Sequence, residues 1–368
     1  MIAAPTGVPT QPSVPRTRLD GLDLARAVAF LVMAVEHMYE VVFRPTPSVP
    51  GVPFVLTLLS GRGAATFVVV SGAGVTLLAR SLGDVAGRTL VRRGAFLFLV
   101  GLALLVVWPT DILHVYGVLL LIAPLLLRLS TRTLAVVATV AAAAMVPAAF
   151  AAPHLPAFSW SAGGGQPLQV ARSLAAATFV TGQNPVFPWL ALFALGMLLG
   201  RLRLTDRVLL GRLAWGSAAV AVLSGVAGLA VRHVVAGSGS VDLTRAPASL
   251  LGVRYAPPGV AFIVSAAGSA VALLAVCCLL AQRRVEHAPG AVRRAAAALG
   301  RMPLSSYVLH LLLIVWVLEP LGVGRHGGPL AAVGVGVLVV AAFAVGAQWW
   351  LRRFGRGPIE LVMRRVCG

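Results

Sequence analysis

The sequence predicts an all-α, polytopic integral membrane protein with about ten transmembrane helices and both termini in the cytoplasm. Of its 368 residues 59% are apolar and only 11% are charged, and the mean hydropathy is +0.93. Soluble domains carry about 25% charged residues, so this composition does not suit a water-soluble core. Apolar runs of about 18 or more residues, the length that spans a bilayer, recur from Leu24 to Trp350.

The apolar runs divide the chain into spans and connections. The spans are 24–42, 56–79, 94–109, 112–127, 133–152, 187–200, 213–231, 259–281, 304–323 and 329–350. They place a disordered cytoplasmic tail at 1–20, a transmembrane domain at 21–355 and a basic cytoplasmic tail at 356–368. Two long connections, 153–186 and 232–258, fall on the outer side and could cover a site there.

The distribution of arginine sets the orientation. All 30 basic residues are arginine, and with the N-terminus inside, 23 of them lie on the cytoplasmic side. The seven on the outer side are Arg44, Arg62, Arg172, Arg232, Arg245, Arg254 and Arg325. Because the net charge of +19 is spread over short loops between apolar runs, it indicates membrane topology and argues against a nucleic-acid partner.

The cysteines and histidines do not predict a metal site. Cys277 and Cys278 lie inside an apolar run and Cys367 lies near the C-terminus, which fits neither a disulfide framework nor metal-ligand spacing. None of the seven histidines forms a convincing metal-binding pair with another. We therefore expect no metal cofactor.

The first span carries ionisable residues, which are costly in a bilayer and therefore indicate function. Arg26 enters it, and Glu36, His37 and Glu40 occupy its outer end. Arg26 and His37 are eleven residues apart, about three helical turns or 16 Å, so they lie on nearly the same face. The structural alternative is that Arg26 anchors the helix at the interface and His37 is a packing residue.

Further polar residues fall at the same outer level. Arg62 lies in the second span, Asp111 and His114 open the fourth, and Tyr307 and His310 lie one turn apart in the ninth. The alternative for Arg62 is an ion pair with a nearby carboxylate, and for Tyr307 and His310 it is structural hydrogen bonding. Pairing and catalysis are compatible, because a carboxylate that orients an imidazole also raises its basicity.

The first helix resembles the opening of the acyltransferase-3 family of transmembrane acyltransferases. The segment 18–29 (RLDGLDLARAVA) followed by His37 reproduces that family's Arg, ten intervening residues and His, and 66–72 (TFVVVSG) is similar to its next apolar motif. Segments 111–117, 187–201 and 300–307 look more like the heparan-α-glucosaminide N-acetyltransferase branch and its bacterial relatives.

The sequence departs from both patterns. The Tyr307-to-His310 spacing is shorter than the corresponding acyltransferase-3 spacing, and the acetyltransferase branch often carries Asn where His37 stands. The analogy to acyltransferase-3 therefore supports His37 as the base better than the analogy to the acetyltransferase branch does.

The resemblance implies a multi-pass acyltransferase of the bacterial inner (plasma) membrane. It would move an acyl group, acetyl in the acetyltransferase branch, from cytosolic acyl-CoA to a hydroxyl or amine of an extracytoplasmic glycan, lipid-linked sugar or small molecule. The residues 21–355 would form the acyltransferase domain. Membrane lipid and the acceptor are the expected partners, with a homodimer left open.

The resemblance also assigns roles. Arg26 with Arg92 or Arg93 would hold the phosphates, since guanidinium groups suit phosphate geometry. His37 would be the general base, with Glu36 or Glu40 orienting it. The remaining candidates are Asp111 and His114 for catalysis, Ser71 for the cofactor, and Arg62, Tyr307 and His310 for the acceptor.

Two other interpretations of the protein's function, from classes other than enzymes, stay open. The same intramembrane charges would serve a proton-coupled transporter or flippase, and a membrane scaffold without activity needs none of them for chemistry. Acceptor modification that depends on a thioester separates the acyltransferase from both, whereas proton-coupled uptake without acyl-CoA consumption favours the transporter.

The arginine distribution predicts the topology. Reporter fusions after residues 85, 205 and 290 should report a cytoplasmic location, and fusions after residues 50, 160 and 240 an external one. A cytoplasmic fusion after residue 160 would contradict the ten-span arrangement, since one missed or added helix reverses every later loop.

Overall fold

The apolar runs of the sequence fold into helices. In the computed structural model of the chain, every described element of secondary structure is helical. The structure describes residues 16–43, 52–237, 255, 258–282, 290–324 and 327–368. Residues 1–15 of the predicted N-terminal tail lie outside the described residues, and the first helix begins within that tail, at Arg16.

Helices of seven or more residues in the described ranges are numbered here in chain order. They are α1 (Arg16–His37), α2 (Val52–Leu59), α3 (Arg62–Leu82), α4 (Ala86–Leu104), α5 (Leu113–Arg128), α6 (Thr131–Ala143), α7 (Met145–Ala151), α8 (Pro167–Ala176), α9 (Val186–Arg201), α10 (Arg207–Gly237), α11 (Val260–Gln282), α12 (Ala291–Gly300), α13 (Pro303–Leu313), α14 (Pro329–Phe354) and α15 (Pro358–Cys367).

Three of these helices continue into π-helical turns. Met38–Val42 follows α1, Ala177–Thr181 follows α8, and Ile314–Leu318 follows α13. The wider π turn is rare and occurs frequently at functional sites. One of them begins directly after His37 and another begins four residues after His310.

Helix α1 lies at the centre of the bundle. It packs against α3, α11, α12, α13 and α14, and Ala25, Ala29 and Ala34 on it are fully buried. Small side chains let helices approach closely, which is how membrane helices gain packing energy. The same device joins α3 to α9, where a Cβ added to Gly72 would overlap the carbonyl oxygen of Phe193.

Arginine side chains tie several helix ends together at one end of the bundle, which we name the arginine end. Arg80 donates a hydrogen bond to the carbonyl oxygen of Arg201 (3.3 Å), and Arg201 donates to that of Leu129 (2.8 Å). Arg301 donates to the carbonyl oxygen of Gly355 (3.5 Å), at the end of α14. Residues that the sequence places on the cytoplasmic side thus lie together.

The described residues contain five helical stretches long and apolar enough to cross a membrane, or up to seven if each of two bent helix pairs is one span. The five are Arg62–Leu104, Thr131–His154, Arg207–Val231, Val260–Gln282 and Pro329–Phe354. The protein is therefore an all-α protein with several candidate membrane spans. The count of ten and the cytoplasmic location of both termini stay predictions.

Among the described residues, the structure has fewer long apolar helices than the ten spans predicted from the sequence, and this difference has a physical origin. Helix α5 has only 16 residues, α1 and the π-helical turn after it carry five acidic or arginine side chains from Asp20 to Glu40, and α12 meets α13 at a bend of 88°. Apolar runs of similar length in the sequence therefore become straight, short or broken helices. Hydropathy does not distinguish these outcomes.

The C-terminal segment, predicted as a basic tail, contains α15, which folds back on the bundle. The Glu360 carboxylate accepts hydrogen bonds from the backbone N–H groups of Leu304 (2.8 Å) and Ser305 (3.1 Å), and from the Ser305 hydroxyl. The Ser305 Oγ in turn accepts from the N–H of Ile359 at 3.0 Å. A carboxylate satisfies the free amides at a helix N-terminus and complements its dipole, so Glu360 fixes α15 to the start of α13.

We expect Glu360→Ala to release α15. Loss of a helix cap costs about 0.5–2 kcal/mol, and 1–2 kcal/mol changes a local equilibrium about 5–30-fold. Cys367, which is 1% exposed at the end of α15, should then react correspondingly faster with a maleimide. The measurement uses protein in which Cys277 and Cys278 are alanine, and Asp84→Ala, in an exposed turn, is the matched control. Equal labelling rates in both variants would show that Glu360 does not hold the helix.

Candidate functional site

A cavity of about 720 Å³ lies inside the bundle and reaches the arginine end. We name it the basic cavity, because five arginines and only two carboxylates line it: Arg26, Arg93, Arg301, Arg356 and Arg364 with Asp23 and Glu360. Binding sites for small molecules commonly have about 300–1,000 Å³. The formal net charge of +3 from these side chains favours an anionic ligand.

The deeper wall of the basic cavity is apolar. It includes Met33 on α1, Phe67 on α3 and Leu97 on α4, and it ends at Ile112 and Tyr307. Charged groups are thus confined to the arginine end, while the interior suits an uncharged chain. An elongated ligand with an anionic end and a less polar arm matches this division.

Three of the four residues predicted to bind a cofactor line the basic cavity: Arg26, Arg93 and Ser71. Arg26 is also paired with Asp23, at 2.6 Å between Nη1 and Oδ1. Arg92 is exposed and is not among the lining residues. Successive residues of a helix point about 100° apart, so α4 cannot direct both neighbouring arginines into the cavity.

His37 pairs with His310. Nδ1 of His37 lies 2.9 Å from Nε2 of His310, and the two rings are nearly parallel, at an angle of 5° with centroids 5.2 Å apart. His310 is 0% exposed and has the Phe30 ring edge-on at 5.2 Å, while the Trp108 ring lies 5.2 Å from that of His37. Because one nitrogen of the contact must accept, the two rings cannot both carry a proton there.

Tyr307 and Asp111 form the next part of the site. The Tyr307 hydroxyl donates to Oδ1 of Asp111 at 2.8 Å, and the N–H of Leu113 donates to Oδ2 at 2.8 Å. The Tyr307 ring also contacts His310, with centroids 5.4 Å apart. Nδ1 of His114 lies 3.8 Å from Oδ2 of Asp111, a distance that allows an ion pair when His114 is protonated. Predicted site residues of α1, α5 and α13 are therefore neighbours.

A second pocket, of about 250 Å³, lies at the opposite end of α4 and α5. We name it the distal pocket. Its wall includes Asp111, His114, Asn184 and Phe158. Asp111 belongs to the distal pocket and its hydrogen-bond partner Tyr307 belongs to the basic cavity, so the Tyr307–Asp111 hydrogen bond lies between the two spaces.

Glu36 and Glu40 do not take the expected position beside the His37 imidazole. The Ser60 hydroxyl is 2.9 Å from Oε1 of Glu36 and 3.1 Å from Oε1 of Glu40, and the N–H of Gly61 donates to Glu36 at 2.8 Å. The partner of His37 is instead a second histidine. Glu36 precedes His37 in α1 and therefore points about 100° away from it, towards the turn between α2 and α3.

Arg62 also differs from its expected pairing. It donates to the carbonyl oxygen of Ser60 at 3.3 Å and to the Ser265 hydroxyl at 2.7 Å, and it lies over the Phe262 ring at 5.4 Å. Among the described ion pairs, none joins Arg62 to Glu36, Glu40 or Asp111. Arg62 therefore links the start of α3 to α11, which carries Ser265 and Phe262.

Sequence reasoning missed two polar partners near the distal pocket. Asn184 donates to the carbonyl oxygen of Thr110 at 3.2 Å and accepts from the Tyr255 hydroxyl at 2.5 Å. These residues lie in connections, where no helical spacing relates them. The signal was the predicted outer coverage by 153–186 and 232–258, which contain Asn184 and Tyr255.

The helical bundle and its basic cavity, taken with the family matches of the sequence, define a membrane protein of the acetyltransferase-like class. Residues 18–233 match the family described as heparan-alpha-glucosaminide N-acetyltransferase, catalytic, and the chain belongs to this family. Residues 206–367 match a family described as protein of unknown function (DUF418). Neither a curated protein nor a solved structure matches the chain.

The family match refines the resemblance seen in the sequence. It supports the acetyltransferase branch without singling out acyltransferase-3, it indicates membrane N-acetyltransferase activity, and it gives no support to a transporter. The site itself draws on both matched regions. Arg26, His37 and Asp111 lie within 18–233, whereas Tyr307 and His310 lie within 206–367.

The hydrogen bond between Tyr307 and Asp111 should be measurable as a coupling. We expect Tyr307→Phe and Asp111→Ala to couple by about 1–2 kcal/mol in the free energy of unfolding, because each removes the same buried contact. Titration with dodecyl sulfate in bicelles measures this quantity. In the control cycle, Tyr307→Phe with Asp84→Ala should be additive within about 0.5 kcal/mol. Additivity in both cycles would contradict the contact.

Proposed function

We propose that the protein transfers an acyl group, acetyl by its family, from cytosolic acyl-CoA to an amine or hydroxyl of an extracytoplasmic acceptor. The observation that carries the proposal is the Tyr307–Asp111 hydrogen bond between the basic cavity and the distal pocket. A transferase that works across a membrane needs a donor space and an acceptor space that meet at one point. We place it in the plasma membrane of a bacterium, with the arginine end inside.

The donor fits the basic cavity in one direction. Its phosphates would lie among the arginines, because guanidinium groups form charge-assisted hydrogen bonds with phosphate oxygens. Its pantetheine arm would follow the apolar wall past Met33, one helical turn before His37 on α1. Arg26 and His37 are about 16 Å apart along the axis, so an extended arm carries the thioester towards the histidine pair.

His37 is the proposed general base. Its Nδ1 is engaged with His310, which leaves Nε2 to take the proton of the acceptor. The acceptor nitrogen or oxygen attacks the thioester carbonyl carbon, the new C–N or C–O bond forms, and the C–S bond breaks as the CoA thiolate leaves. His310 replaces the predicted carboxylates as the group that orients His37, since an imidazole fixed through one nitrogen presents the other in a defined direction.

The distal pocket is the proposed entry of the acceptor. His114 and Asn184 supply hydrogen-bonding groups there, and Phe158 supplies an aromatic face. A glycan, a lipid-linked sugar or a small molecule with an amine or hydroxyl group suits such a wall. Asp111 would hold the acceptor close to Tyr307, at the boundary with the donor space.

His37→Ala should abolish most turnover and leave donor affinity nearly unchanged. General-base catalysis contributes about 10²–10⁴-fold in rate, whereas the phosphate contacts lie about three turns away on α1. Acyl transfer and acyl-CoA binding are measured on the same purified variants in nanodiscs, with envelope glycan and lipid fractions as acceptors and mass spectrometry as readout.

Two further variants sharpen this test. His233→Ala, an exposed histidine of α10, should behave as the wild type. His37→Asn places the residue of the related branch at the same position, and near-normal activity would mean that this position orients the acceptor. Substantial acyl transfer by His37→Ala would contradict the role of His37 as general base, and His114 beside Asp111 would become the next candidate.

A further inference from the structure

We propose that α15 is part of the donor site and that Arg356 and Arg364 bind the phosphate groups of the donor. This inference rests on the proposed function. It assigns a binding role to the C-terminal segment, which the sequence predicts only as a basic tail.

The first observation is the position of both side chains. Arg356 precedes α15 and Arg364 lies in its last turn, and both line the basic cavity together with Arg26, Arg93 and Arg301. Met363 and Glu360 add two further walls from the same segment. The C-terminal segment therefore closes one side of the cavity at its charged end.

The second observation is the lack of neutralising partners. The two carboxylates of the cavity are already engaged, since Asp23 pairs with Arg26 and Glu360 caps α13. None of the described ion pairs involves Arg356 or Arg364. Like charges gathered in a cavity repel one another unless an anion lies between them, so this cluster favours a ligand with several phosphate charges.

The third observation is that the backbone around Arg356 is fixed. Gly355 ends α14 in the left-handed conformation (φ 72°), and its carbonyl oxygen accepts from Arg301. The Trp350 Nε1–H donates to the carbonyl oxygen of Arg356 at 2.8 Å. The hydrogen bond from the Ser305 hydroxyl to the Glu360 carboxylate holds the other side of the turn. A preformed position reduces the entropy cost of binding, which separates a binding residue from a free basic tail.

These contacts also relate the donor to the reacting groups. The Glu360 carboxylate binds the first turn of α13, and the same helix carries Tyr307 and His310. A donor bound by α15 is therefore bound by a segment that is fixed to α13, the helix that carries His310. The phosphate end and the reacting end share one structural support.

The experiment measures binding of CoA to the full chain in phosphatidylcholine nanodiscs by isothermal titration calorimetry. Arg356→Gln and Arg364→Gln should each weaken CoA binding about tenfold, because each removes a charge-assisted hydrogen bond. Arg365→Gln is the matched control. It removes the same charge from the same helix, but Arg365 does not line the basic cavity. Cys367 protection from maleimide confirms that α15 stays folded in all three variants.

The outcomes separate the inference from the proposed function. If the wild type binds CoA and Arg26→Ala weakens it, while Arg356→Gln and Arg364→Gln bind as the wild type does, the role of α15 is wrong and the proposed function stands. Equal weakening by Arg365→Gln would show a general charge effect and also overturn the inference. A wild type that neither binds CoA nor transfers an acyl group overturns both.

Discussion

The structure depends on the cost of placing ionisable groups inside an apolar bundle. A charged or polar side chain there must find a partner or face a polar cavity. Helix α1 meets this requirement with three different solutions: Arg26 pairs with Asp23 at the basic cavity, Glu36 accepts from the turn before α3, and His37 contacts α13. The Arg26–Asp23 pair lies within α1, whereas the contacts of Glu36 and His37 fix α1 against the turn before α3 and against α13. Groups that cost free energy in an apolar bundle thus also help to set the position of the central helix.

The sequence could predict the relations that lie within one helix. The eleven-residue spacing from Arg26 to His37 and the three-residue spacing from Asp111 to His114 follow from helical geometry alone. The apolar runs likewise predicted an all-helical membrane protein. Their number and ends were less accessible, because the bend of 88° between α12 and α13 and the 16-residue length of α5 are set by packing and not by hydropathy.

Contacts between distant helices could not be predicted in the same way. His37 and His310 are separated by 273 positions, and Tyr307 and Asp111 by 196. Glu36 and Glu40 were nearer to His37 in sequence, which made them the natural choice as its partners. The direction of successive residues around a helix turned Glu36 to Ser60 instead. Proximity in sequence was therefore a poor guide to which polar side chains contact each other.

Hydrogen bonds between side chains join the two regions that match different families. The region matched to the acetyltransferase family supplies Arg26, His37 and Asp111, while the partners of the last two, His310 and Tyr307, come from the region matched to a family of unknown function. A buried imidazole or carboxylate without its partner would carry the full desolvation cost of an unpaired polar group. Neither half can therefore keep its site residues satisfied alone, and the C-terminal half completes a site that the N-terminal half begins.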